Sequence, residues 1–75
     1  MSDDSIKVDV MGLRCPIPVQ RARKAIRGNP QGTTISLCGD DPESLHDIPT
    51  LLKRLGLNPP LIIEIDGGWE FVIIT

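Results

Sequence analysis

Apolar and polar residues alternate across positions 6–10, with Ile6, Val8 and Val10 on one side and Lys7 and Asp9 on the other. That period of two predicts a half-buried strand. Over residues 16–27 the period lengthens. Val19, Ala22, Ala25 and Ile26 recur at helical spacing, and Gln20, Arg21, Arg23, Lys24 and Arg27 fall on the opposite side. The pattern predicts an amphipathic helix, stopped by Gly28-Asn29-Pro30. Residues 33–38 then predict a second strand, with Ile35 and Leu37 facing one way.

Gly39-Asp40-Asp41-Pro42 marks a turn in which Asp41 suits an N-cap and Pro42 the first helical position. Leu45, Ile48, Leu52 and Leu55 predict the inner stripe of a second helix that ends near Gly56. Pro49 allows two readings: a continuous but irregular helix, or a separate turn over residues 42–46 with a helix starting at Asp47. The continuous segment is preferred. Residues 61–65 and 69–74 are β-rich runs joined by Asp66-Gly67-Gly68, which predicts a terminal hairpin.

The order is therefore β-α-β-α-β-β, one domain over residues 1–75. The fold class is α+β. Right-handed crossovers give a two-layer α/β sandwich, a four-stranded mixed sheet with both helices on one face. If Leu61, Ile63, Ile65, Trp69, Phe71 and Ile73 face the helices, the open face carries Ile62, Val72 and Ile74 beside Thr34, Ser36 and Glu64. Scattered aliphatics on such a face are ordinary, although they also suit a contact surface.

A chain of 75 residues has a thin core and little room for a deep pocket. A carrier or binding role therefore starts ahead of a self-sufficient enzyme. The net charge of −2 offers no global attraction for nucleic acid or an anionic membrane. The N-terminus, Met1-Ser2-Asp3-Asp4-Ser5, lacks the basic and apolar regions of a secretory signal, and no segment approaches membrane-spanning length. Cytoplasmic residence is the expectation, with both cysteines as free thiols.

Cys15 is the strongest chemical candidate. It lies in Gly12-Leu13-Arg14-Cys15-Pro16-Ile17-Pro18, where the first strand hands over to the first helix. Unpaired N–H groups and the positive end of the helix dipole favour a thiolate there. Pro16 suits the first helical position, Pro18 sits within the first turn, and Gly12 permits a positive-φ turn. A buried packing role is the bland alternative for any free cysteine. The element boundary and the neighbouring Arg14 favour a reactive, exposed thiol instead.

Other candidates are weaker. Cys38 reads as a small residue tolerated in a strand, and His46 as part of a solvated helix turn. No zinc-ligand spacing occurs, and no metal or cofactor is expected. Asp40, Asp41, Glu43 and Asp47 are explained by the favourable potential at a helix start. No phosphate-binding glycine motif is present.

Gly-Leu-Arg-Cys-Pro-x-Pro after an alternating strand resembles the signature of the TusA family of sulfur carriers, also called SirA-like. Asp9, residues 12–18, Asp40-Asp41-Pro42 and Asp47-Ile48-Pro49 carry the resemblance, which spans nearly the whole chain. It implies the same two-layer fold and a persulfide on Cys15, with Gly12, Arg14, Pro16 and Pro18 supporting. It also implies sulfur received from a cysteine desulfurase or rhodanese-like donor and passed to an acceptor protein. Certain members carry a second cysteine after the Ile-Pro pair. Here Thr50, Leu51 and Leu52 occupy that stretch, which speaks against an internal relay. Ile17 and Arg21 are candidate partner contacts around the sulfur.

Two competing functions stand beside this one. The first is a regulatory or protein-interaction module with a redox-sensing Cys15. The second is a small nucleic-acid binder using the basic helix face, disfavoured by net acidity and few aromatics. Direct nucleic-acid or membrane contact is not expected.

Overall fold

Six elements form in the expected order: β1 (Ser5–Val10), α1 (Ile17–Arg27), β2 (Thr34–Gly39), α2 (Ser44–Arg54), β3 (Leu61–Ile65) and β4 (Gly68–Ile74). They are seen in a computed structural model that describes residues 5–75. Residues 1–4 of the N-terminal stretch lie outside the described residues. The sheet runs β1-β2-β4-β3, with β1 parallel to β2 and the remaining neighbours antiparallel. The fold is α+β with a mixed four-stranded sheet.

Alternation decides which side chains enter the core. Val10 from β1, Ile35 and Leu37 from β2, and Phe71 and Ile73 from β4 are buried against Ala22 of α1 and Ile48, Leu51 and Leu52 of α2. Val8, Val19, Ala25, Ile26 and Trp69 pack around that centre. Among the described residues, no helix is long and apolar enough to cross a membrane.

Two expectations are corrected. The inner stripe of α2 is Ser44, Ile48, Leu51 and Leu52, whereas Leu45 and Leu55 are exposed. Ser44, Ile48, Leu51 and Leu52 follow the i, i+4, i+7, i+8 spacing of a single face, and Leu45 falls at its margin. Leu55 lies past the last helical turn. The helix itself runs unbroken through Pro49, the preferred of the two sequence readings.

The second correction concerns β3. A three-residue loop at 66–68 would pair Ile65 with Trp69 and turn Leu61, Ile63 and Ile65 toward the helices. Instead Asp66-Gly67 makes a two-residue turn, Gly67 adopts φ +81°, and Ile65 pairs with Gly68. One residue of register reverses every side chain. Ile62 therefore shares the helix side with Phe71, and Leu61 and Ile63 share the open face with Val72 and Glu70. Gly68 can join the strand because it has no side chain. A Cβ there would lie well inside contact distance of the Gly39 carbonyl.

The open face is thus more apolar at the β3 edge than the sequence suggested. Leu61 and Ile74 are 62% and 60% exposed, with Ile63 beside them. Toward β1 the same face is polar, with Lys7, Ser36 and a Ser36–Glu70 hydrogen bond.

Candidate functional site

Because β1 and β2 are parallel neighbours, their C-terminal ends and the loops that enter α1 and α2 lie side by side. The first loop leaves β1 through a turn in which Leu13 N–H donates to the Val10 carbonyl at 3.1 Å. Gly12 takes φ +80°, the left-handed region expected of it. Leu13 tucks against the core, and Ile17 N–H donates to the Arg14 carbonyl at 2.9 Å. Cys15 is left on the crest of this turn, exposed.

Pro16 does not occupy the first helical position. It caps the helix from outside, with φ −97° and ψ 11°, after a cis Cys15–Pro16 peptide bond. The turn closed by Arg14 and Ile17 uses up the residues before Ile17, so α1 starts one residue later than expected. Pro18 then falls at the second helical position and is buried.

The second loop holds the first. Asp40 Oδ1 accepts from Gly12 N–H and from the Arg14 guanidinium, each at 2.9 Å. Those two contacts, Gly12 first, hold the Asp40 carboxyl below its usual range. Asp41 is buried, and its Oδ2 accepts from Cys15 N–H at 2.8 Å. Its Oδ1 accepts from Glu43 N–H at 3.1 Å. Asp41 closes the turn ahead of α2 and anchors the cysteine residue in the same step. It is not the N-cap expected of it: α2 starts at Ser44 with Glu43 as N-cap, and Pro42 lies in the turn outside the helix. Consecutive aspartates thus clamp Gly12, Arg14 and Cys15.

The surroundings of the thiol differ from the electropositive setting expected. Arg14 turns to Asp40, while Cys15 Sγ donates to Asp47 Oδ2 at 3.4 Å. Cys15 also lies ahead of the first helical residue, with its sulfur turned toward α2. The hydrogen bond to Asp47, loss of hydration, and the charges of Asp47 and Glu43 raise the thiol above its ordinary pKa. The sulfur thus meets carboxylates where the sequence led us to expect cations, and its pKa moves up and not down.

A groove of about 330 Å³ opens between the helices beside Cys15. Val19 and Leu51 form its apolar walls, and Arg23, His46 and Arg54 line it with Asp47. A larger depression of about 560 Å³ along α1 shares Val19 and Arg23 but has no cysteine in its lining. The groove at Cys15 is the candidate site.

Other singled-out residues are dispersed. Ile17 is exposed two residues beyond Cys15. Arg21 lies on the far flank of α1, near Ile6 and Val8 of β1. Cys38 sits on the helix-free face, paired in register with Asp9 and Glu70. The donor atoms of Cys15, Glu43 and Asp47 come within 4.8 Å of one another. Structural zinc sites take four Cys or His ligands, unlike this set of one thiol and two carboxylates.

From the sequence, Asp40, Asp41 and Asp47 read as helix-start charges, a cap and matches to the family pattern, not as contacts of the cysteine turn, and Arg23 and Arg54 had no role in a groove. The parallel pairing of β1 with β2 was the available signal, because it brings both helix starts to one end of the sheet.

The chain is similar to known proteins over nearly its whole length. A family described as Sulfurtransferase TusA matches residues 6–75. A protein of Archaeoglobus fulgidus, whose name gives it a proposed sulfur-carrier role, is 50% identical over 71 residues, covering 89% of this chain and 88% of its own.

Proposed function

Since the chain belongs to the sulfurtransferase TusA family, we propose that it is a sulfur carrier whose Cys15 accepts sulfane sulfur as a persulfide and passes it to a downstream acceptor protein. The observation that carries this reading is the placement of Cys15. Its sulfur is exposed on a crest, yet its backbone is fixed by a buried carboxylate. An exposed atom on a rigid support is open to large partners in turn, which a deep pocket would not allow.

The exchange needs no cofactor. The Cys15 thiolate attacks the terminal sulfur of a donor persulfide, R–S–SH. The donor S–S bond breaks, R–S⁻ leaves with the electron pair, and Cys15–S–SH forms. The thiol proton ends on the departing R–S⁻. Handing sulfur onward is the same displacement, with an acceptor thiolate attacking the outer sulfur of Cys15–S–SH. A cysteine desulfurase or rhodanese-like protein suits the donor role.

Gly12, Arg14, Pro16 and Pro18 support the sulfur by shaping the loop and the helix start. Ile17, beside the sulfur, is a proposed partner contact, and Arg21 is one on the outer flank of α1, away from the groove at Cys15. The acceptor determines the destination among tRNA thiolation, molybdenum-cofactor maturation and sulfur oxidation. Two free thiols suit a reducing compartment, and we place the exchange in the cytoplasm.

Onward transfer is the test of carriage as opposed to mere modification. Chain loaded with labelled sulfur by a desulfurase and cysteine, then separated from both, should give up its label to a second thiol protein. Label that stays on the chain under these conditions contradicts the proposal.

A further inference from the structure

Cys15 faces two carboxylates that have no cation of their own. Asp47 accepts its hydrogen bond at 3.4 Å, and Glu43 approaches within the same 4.8 Å cluster. The nearest arginine in sequence, Arg14, is held by Asp40. Among the described residues no Lys, Arg or His lies within ion-pair distance of Glu43 or Asp47. Arg23 from α1, and His46 and Arg54 from α2, line the adjoining groove without pairing to either acid. The two carboxylates beside the thiol therefore have no ion-pair partner of their own, and the basic residues of the groove stand beyond ion-pair distance from them.

We infer that Glu43 and Asp47 keep Cys15 a neutral, slow-reacting thiol in the free chain, and that a sulfur-exchanging protein frees it by presenting a cationic side chain to these carboxylates. This rests on the reading of Cys15 as the carrier. The chemistry follows from elementary electrostatics. An opposite charge placed on Asp47 and Glu43 offsets their repulsion of a developing thiolate. Desolvation on docking strengthens that compensation. The proton leaves Cys15, the thiolate attacks the donor's outer sulfur, and the departing donor thiolate takes a proton, so charge and atoms balance. The partner class implied is a protein with a Lys or Arg beside its own persulfide-bearing cysteine. Asp47 touches the reacting sulfur. Glu43 acts through charge and is a positioning residue.

The test compares the parent with D47N and with the E43Q/D47N pair, using three probes. Iodoacetamide labelling near neutral pH should run roughly threefold or more faster in the variants, since more thiolate outweighs its lower intrinsic nucleophilicity. Its pH profile should move to lower pH. Sulfur uptake from inorganic polysulfide should quicken in the same direction. Uptake from a loaded cysteine desulfurase should instead slow, by about threefold to tenfold at low salt, with weaker salt dependence, because rim charges act mainly on association.

That crossover between the small and the protein donor is the signature. Variants faster with both donors would show carboxylates that only suppress the thiol, with no role in docking. Variants slower with both would make Asp47 a general base. Unchanged labelling would remove the guard altogether. Each of these overturns the inference. Failure of the parent to take sulfur from either donor would instead overturn the carrier reading, while the labelling profile still decides whether the thiol is guarded.

Discussion

Cys15→Ser should leave the fold intact and abolish sulfur uptake. The side chain is exposed, and the contact that fixes residue 15 runs through its backbone N–H to Asp41, which serine keeps. A serine hydroxyl can also donate to Asp47 in place of the thiol. Surface exchanges of this kind usually shift stability by no more than about 0.5 kcal/mol, so the denaturation midpoint should match the parent. The chemistry has no substitute. A hydroxyl near neutral pH is not ionised and cannot form the sulfur–sulfur bond that holds the cargo. Cys38 lies on the helix-free side of β2 and outside the groove lining. Intact mass after loading should show the one-sulfur adduct in the parent and none in the variant. An adduct of equal yield in the variant would locate the cargo elsewhere.

Asp41→Ala should have the largest effect on stability among the site residues. Its carboxylate is buried, and it satisfies Cys15 N–H and Glu43 N–H, one on each of the two loops. Alanine leaves both donors without their acceptor and removes a charge-assisted contact between segments far apart in sequence. The expected loss is about 2–3 kcal/mol, in the range for hydrogen bonds to charged groups. A core of this size rarely supplies more than about 3–5 kcal/mol in total. The variant should therefore be largely unfolded at modest urea, and its surviving fraction should load poorly because the cysteine turn has lost its anchor. Asp41→Asn keeps one oxygen acceptor and should fall between. Urea denaturation of the three proteins checks the order, and an alanine variant with the parent's midpoint would remove the clamp from the account.

The elements differ in how far the sequence revealed them. β1, α1 and β2 follow from period and stop signals, because each buries one face whose spacing is visible in the residues themselves. The hairpin was legible as a hairpin, but not the face that β3 presents. That depends on whether Gly68 belongs to the turn or the strand, and the answer lies in its close approach to the Gly39 backbone. The phase of α2 was obscured by surplus leucines, since Leu45 and Leu55 look as apolar as the residues that reach the core.

At the site, the sequence located Cys15 in the loop before α1 and the positive φ of Gly12. The charged groups that reach the sulfur were not legible there. Arg14 is adjacent in sequence but turned away, and the acids that reach the thiol come from α2 and the turn before it, about thirty residues on. Nonlocal charge of this kind becomes visible only once the parallel pairing of β1 and β2 is known.

The most direct measurement of the central claim is the location of the cargo. The wild-type chain is loaded with isotopically labelled sulfur from a cysteine desulfurase, digested without reductant, and its peptides are resolved by mass. The account predicts label on the peptide that contains Cys15 and none on the peptide that contains Cys38. Label on Cys38, or on neither cysteine, would contradict it.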